Sequence, residues 1–349
     1  MDIKVTVCVI TYNCIKYLPV LLDSIRNSSF KYFRLLFVDN NSSDGTVEYL
    51  ENYELEKTVI KLPENTGHSY AANIALKECT TRYLILMDHD TIAHEDLFRN
   101  LYLEAEREKD SEFTVFAPKI VDKSRNETYF GGEFHYIGKT YTNREMPDSP
   151  ELGMISSTSP LVDLEKLPDD LTFDEDLFIY WNDADFFYRL RAFGRKIKLV
   201  PEAVVVHLGG TKDYSHRTGS EYSPVRAFYV ARNHRLFVIK NYSLMSILIF
   251  MPCFLLYELY NIAFCLKKKV FIKGYLRSVV DTFRLLLTTI KKRSAFQEAR
   301  KIAEKDLVGW YRLDYTPGVI VTELEKRSIR FLDQIFKRYF LLVKTVFWK

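Results

Sequence analysis

Tyr83-Leu84-Ile85-Leu86-Met87-Asp88-His89-Asp90-Thr91 is the stretch that decides the fold. Its first five residues are mostly apolar and read as a short strand covered on both faces, as in a parallel sheet. The run then ends in two carboxylates separated by one residue. Functional groups of open α/β sheets gather at the carboxyl ends of such strands. Asp88 and Asp90 are therefore expected to share a crevice, where two carboxylates repel unless a cation or a proton intervenes. Taken alone, these residues also read as a solvated Asp turn at a strand end.

Working outward, Val5 to Ile10 reads as a first strand, followed by the loop Thr11-Tyr12-Asn13. Leu18 to Asn27 has helical spacing, with Pro19 near its start. Tyr32 to Val38 is a second strand ending at Asp39, and residues 40–45 are dense in turn formers. A helix from Thr46 to Tyr53, a strand from Thr58 to Leu62 and a polar turn ending at Gly67 follow. Ser69 is expected to cap a helix over Tyr70 to Cys79. Strands alternating with helices at short loop lengths predict a mostly parallel sheet flanked by helices, an α/β fold. Neither GxGxxG nor a P-loop follows the first strand, so a carboxylate-bound divalent cation is the expected way to hold phosphates.

Leu97 to Glu108 reads as a helix, Phe113 to Ala117 as a strand, and 119–145 as irregular hairpins. Trp181-Asn182-Asp183-Ala184-Asp185 precedes a helix through Phe186 to Phe193 that stops at Gly194. Two strand-like runs, Lys196 to Val200 and Ala203 to Val206, lead into His207-Leu208-Gly209-Gly210. Two Asp and one His at strand ends make an oxygen-and-imidazole set suited to Mn²⁺ or Mg²⁺. A packed or capping histidine is the other reading of His207.

With 47% hydrophobic and 27% charged residues, the 349-residue chain has the composition of a globular protein, without long disordered tails. Its net charge of +3 hides an asymmetry. Residues 211–349 carry 26 Lys and Arg against 11 Asp and Glu, whereas residues 1–210 carry 23 against 35. A basic half suggests an anionic partner. Residues 241–257 contain no charge, but Pro252 interrupts them and Glu258 follows. Another apolar stretch runs up to Lys267-Lys268-Lys269, and the whole is marginal for a span, which needs roughly 20 apolar residues. Val270 to Ile290 and Ile329 to Trp348 are basic and amphipathic, as helices lying in a membrane interface are. A helical hairpin packed on the core and a single span are the alternatives. An apolar stretch with charges at its edges suits an anionic lipid surface better than nucleic acid. The five cysteines are scattered without metal-ligand spacing. Cys8 and Cys79 are expected to be buried thiols, and a reducing compartment is expected. The amino terminus shows no signal-peptide pattern.

The runs VTVCVITYN, LLFVDNNSSDGT, ENTGHSYAANIAL and YLILMDHDT, followed by FDEDLFIYWNDADFFYRLRAFGRKIKLVPEAVVVHLGG, resemble family 2 glycosyltransferases of the GT-A fold. The likeness runs in order over residues 4–240. It is nearest the bacterial branch that transfers rhamnosyl or galactofuranosyl residues to lipid-linked glycans. The resemblance implies that Thr11, Tyr12, Asn13, Asp39, Asn65, Gly67, Asn73 and Asp88 bind the nucleotide sugar. It implies that Asp88, Asp90 and His207 hold Mn²⁺ or Mg²⁺, that Asp183 is the catalytic base, and that Trp181 and Asp185 meet the acceptor. Two positions depart from the family pattern: Asn182, where an acidic residue is common, and His89, inside the Asp-x-Asp.

The expected organisation is a catalytic domain over 1–210, with a nucleotide-sugar half (1–92) and an acceptor half (93–210). A connecting segment (211–240) and a membrane-associating helical region (241–349) follow. The implied function is inverting, metal-dependent transfer from a dTDP-rhamnose or UDP-hexose type donor to a hydroxyl of a glycan or lipid-linked acceptor, in cell-surface polysaccharide synthesis. The expected location is the cytoplasmic membrane face, with a second copy of the chain left open as a partner. The alternatives are a nucleotidyltransferase acting on sugar phosphates and an inactive membrane-bound glycan-binding protein.

Overall fold

A computed structural model describes residues 2–123, 126–209, 223–313 and 322–348. In chain order it contains β1 (Val5–Thr11), α1 (Leu18–Arg26), β2 (Phe33–Asp39), α2 (Thr46–Asn52), β3 (Thr58–Lys61), α3 (Gly67–Glu78), β4 (Tyr83–Asp88), β5 (Thr91–Ala93), α4 (Leu97–Arg107) and β6 (Phe113–Asp122). Then come β7 (Glu127–Tyr129), β8 (Gly132–Phe134), β9 (Thr140–Thr142), β10 (Glu151–Leu152), β11 (Leu161–Asp163), α5 (Asn182–Ala192) and β12 (Lys196–His207). The last helices are α6 (Pro224–Asn241), α7 (Leu244–Lys267), α8 (Ile272–Arg284), α9 (Leu286–Ala299) and α10 (Glu323–Val346). Two compact units result: Met1–Gly131 with Asn143–Gly219, and Gly132–Thr142 with Ser220–Lys349.

In the first unit, side chains alternate across the sheet and build a core on each face. Val5, Val7 and Val9 of β1 pack with Leu21, Leu22, Phe98 and Leu101 of α1 and α4. Cys8 and Ile10 pack on the other face with Ala71, Ala72, Ala75, Phe186 and Leu190 of α3 and α5. The small alanines let α3 lie close to the sheet. The strand order is β10-β12-β6-β11-β4-β1-β2-β3. The β4-β1-β2-β3 block and the β12-β6 pair are parallel, while β11 lies antiparallel between β4 and β6. Register places Thr11 beside Asp39 and Ile10 beside Asp88, so three strand ends open on one edge.

Some local expectations shift. Ser69 does not cap α3: the helix begins at Gly67, and the buried Ser69 hydroxyl sits inside it. The two strand-like runs after Gly194 form one strand, β12, with an irregularity between Val200 and Val204. β6 continues to Asp122 because β12 and β7 pair along it. Cys8 is buried, but Cys79, at the end of α3, is half-buried. Gly210 and residues 211–222 of the expected connecting segment lie outside the described residues.

The second unit is built from the β8–β9 hairpin and α6 to α10. α6 packs on α8 and α9, and Ala227, Cys265, Phe271 and Tyr275 form one of its cores. The expected helix over 270–290 divides at Leu285 into α8 and α9. Among the described residues, α7 is the helix long and apolar enough to cross a membrane.

Candidate active site

β4 ends at Asp88, the chain turns through His89 and Asp90, and β5 leaves antiparallel to β12. That register sets Thr91 opposite His207. The Leu208 amide donates to the Asp90 carbonyl at 2.8 Å and fastens the two segments together. A backbone pairing thus brings His207 to carboxylates more than a hundred residues away. His207 Nε2 lies 3.5 Å from Asp90 Oδ2 and 4.0 Å from Asp88 Oδ2. One ligand atom from each of Asp88, Asp90 and His207 falls within 4.8 Å of the others. Two carboxylate oxygens and one imidazole nitrogen, converging at a strand end, fit a hard or borderline divalent cation.

The cluster lies in a cleft of about 290 Å³. Of the sequence-predicted residues, Thr11, Tyr12, Asn65, Gly67, Asp88, Asp90, Asp183 and His207 line it. His89 lines it too, with Nδ1 3.1 Å from the Ile10 carbonyl oxygen, which fixes the ring against β1. Asn13, Asp39, Asn73, Trp181 and Asp185 are not among the lining residues. Asn13 has left-handed backbone (φ 47°) and accepts from the Ser43 amide at 2.8 Å, bracing the β1 and β2 loops against each other. Asp39 is buried and accepts from the Thr11 hydroxyl at 2.8 Å, the Ser42 amide at 2.8 Å and the Ser42 hydroxyl at 2.6 Å. Asn73 bonds both backbone groups of Phe173 and fastens the 173–181 segment to α3.

The acceptor expectation for Asp185 meets a different arrangement. Its side chain is fully buried and pairs with Arg189 one helical turn on, at 2.8 and 2.9 Å. Trp181 precedes α5 with left-handed backbone (φ 64°), as do Phe178 and Tyr180 (φ 59° and 62°). Three such conformations in non-glycine residues are locally strained, and surrounding structure must hold them. Phe178 packs on Gly67, which has φ +83°; a Cβ there would lie 2.5 Å from Phe178 Cδ2.

Sequence reasoning missed His68, Ser157 and Thr158. His68, on the first turn of α3, places Nε2 3.8 Å from Asp88 Oδ1, while its Nδ1 lies 3.0 Å from Asn182 Nδ2. The Thr158 hydroxyl donates to Asp88 Oδ2 at 3.0 Å. Ser157 Oγ donates to Asp183 Oδ1, and Asn182 Nδ2 lies 3.1 Å from that same oxygen. The Asn182 departure therefore supplies an amide between His68 and Asp183.

Electrostatics follow from this crowding. Burial alone would push the Asp88 carboxyl up, but His68, with His207 and His89, holds it at about 2. Burial alone would lower His68, yet the neighbouring Asp88 and Asp183 raise it above the ordinary imidazole value. Asp183 goes the other way: burial, reinforced by the Asp88 charge, raises it against the opposing His68 and Ser157. Two carboxylates of one cleft are thus pushed apart, an arrangement found where acid–base roles are divided.

Residues 6–159 match the family model described as glycosyl transferase family 2. A Staphylococcus epidermidis teichoic acid poly(glycerol phosphate) polymerase is 32% identical over 133 residues, 35% of this chain and 18% of that protein. The chain thus spans about a fifth of that relative. The dTDP-rhamnosyl transferase RfbF of Shigella flexneri is 24% identical over 255 residues, 69% of this chain and 82% of that one. The solved structure of GalNAc-T7 with UDP, GalNAc and Mn²⁺ superposes with a TM-score of 0.54 at 14% identity, over 68% of this chain and 48% of that one. Residues 6–159 are therefore similar to the glycosyl transferases of family 2, and the fold is of the GT-A kind.

Proposed function

We propose that the chain is an inverting, divalent-metal-dependent glycosyltransferase that moves a sugar from a nucleoside diphosphate to a hydroxyl of a glycan or lipid-linked acceptor. The observation that carries this is the convergence of Asp88, Asp90 and His207 within 4.8 Å in the cleft that Asp183 also lines. Donors of the dTDP-rhamnose or UDP-hexose type are favoured by the likeness to a dTDP-rhamnosyl transferase. The teichoic acid relative favours a role in cell-surface polymer synthesis. The basic second unit favours work at the cytoplasmic membrane face.

Asp88, Asp90 and His207 would hold Mn²⁺ or Mg²⁺, which when bound neutralises the departing diphosphate. Thr11 and Tyr12, kept in place by Asp39, Asn13 and Ser42, form the nucleotide wall together with Asn65 and Gly67. Asp183 takes the proton from the acceptor hydroxyl as that oxygen attacks the anomeric carbon. Ser157 and Asn182 fix the carboxylate's orientation, and attack opposite the leaving group inverts the centre. Asp183→Asn is expected to abolish transfer while nucleotide-sugar binding persists. Near-normal turnover in that variant would remove Asp183 from the role of base.

A further inference from the structure

Helix α7 carries an apolar stripe that the described residues of its own unit leave exposed. Leu244, Leu248, Met251, Leu255, Leu259, Ile262 and Leu266 are 37–65% exposed and recur every three or four residues, on one side of the helix. Phe250, Cys253 and Tyr257 occupy the opposite side and are buried. At 24 residues, about 36 Å, the helix is long enough either to cross a bilayer or to lie along one.

Its polar contacts decide between the two. Near its start, the Ser243 hydroxyl donates to Glu304 at 2.8 Å, and Glu304 pairs with Arg300 at 2.9 Å. Further on, Glu258 pairs with Arg235 of α6 at 3.0 Å and accepts from the Tyr275 hydroxyl of α8. At its end, Lys267 pairs with Glu325 of α10 at 2.7 Å. Crossing a bilayer would either strip Glu258 and Arg235 of each other or draw α6, α8 and α10 into hydrocarbon with all their charges. Both are strongly unfavourable. Lying in the plane disturbs none of these pairs.

α8 repeats the pattern. Leu276, Val280 and Phe283 are 58–70% exposed, and Lys273, Arg277 and Arg284, also exposed, flank them. Lys267-Lys268-Lys269 joins the two helices. Apolar stripes rimmed by cations match a lipid surface bearing anionic headgroups. We propose that α7 lies flat in an anionic lipid surface with its Leu244–Leu266 stripe inserted, and does not cross the membrane. This rests on the membrane-surface part of the proposed function.

The test uses the full chain, nitroxide-labelled separately at Leu244→Cys, Leu255→Cys and Leu266→Cys. The unsubstituted chain, whose described cysteines are buried or half-buried, is the labelling blank. On vesicles of phosphatidylcholine with about one third phosphatidylglycerol, the three labels are expected at one shallow depth. A deep label at position 255, with 244 and 266 at opposite faces, overturns the flat seat and leaves membrane binding standing. Failure of the unsubstituted chain to float with these vesicles overturns both. The combined Leu248→Glu, Leu255→Glu, Leu259→Glu variant is expected to bind vesicles at least about tenfold more weakly, with an unchanged melting profile. If the unsubstituted chain instead dimerises through this stripe and ignores vesicles, the face belongs to a second copy and the inference is wrong.

Discussion

Asp185→Ala separates a structural role from an acceptor role. Asp185 is fully buried, and Arg189, itself only 9% exposed, donates a hydrogen bond to it through Nε at 2.9 Å and pairs with it through Nη2 at 2.8 Å. Arg189 Nη2 also donates to the Thr172 carbonyl. Removing the carboxylate leaves a buried guanidinium whose remaining hydrogen bond among the described residues goes to that carbonyl. Breaking a buried pair from one side costs about 3–5 kcal/mol. Against a typical total stability of about 5–15 kcal/mol, that is a large fraction. For a unit of this size, each kcal/mol moves the midpoint by about 2–4 °C, so the first unit is expected to melt roughly 6–20 °C lower. The assay is a thermal melt with urea denaturation, alongside turnover measured well below the lowered midpoint. Turnover and acceptor KM are expected to stay near those of the unsubstituted chain. An unchanged melt with a raised acceptor KM would refute the reasoning and return Asp185 to the acceptor.

Ser157→Ala should move the acid limb of the pH–rate profile to higher pH. As the proposed base, Asp183 must be ionised to accept a proton; burial already raises its pKa, and Ser157 opposes that rise by bonding the ionised form. A shift to lower pH would contradict the assignment. Gly67→Ala should destabilise the first unit by about 1–3 kcal/mol and weaken nucleotide binding, because its backbone is left-handed and Phe178 occupies the Cβ position. Wild-type melting and affinity would show that Phe178 yields easily.

The β-α alternation and the Asp88–Asp90 strand end were legible because period-two burial and turn chemistry act locally. The pairing of β5 with β12 was not, since nothing near His207 in sequence announces a partner at Thr91. Antiparallel β11 was invisible for the same reason: its neighbours β4 and β6 are distant in sequence. His68 did leave a signal, as a polar residue directly after Gly67 at a strand-to-helix turn. Asp185 left one too, since Arg189 follows at the i,i+4 spacing of a helical ion pair. The left-handed backbone at Phe178, Tyr180 and Trp181 had no glycine to mark it.

The proposed function requires this cleft to bind a nucleotide sugar through a divalent cation held by Asp88, Asp90 and His207. Calorimetric titration of dTDP-rhamnose, UDP-galactofuranose and UDP-hexoses, with Mn²⁺ or Mg²⁺ and then with chelator, tests it most directly. One donor is expected to bind with metal and to lose at least about a hundredfold in affinity on chelation or in Asp90→Ala. Equal affinity without metal, or retention of metal-dependent binding in Asp90→Ala, would contradict it.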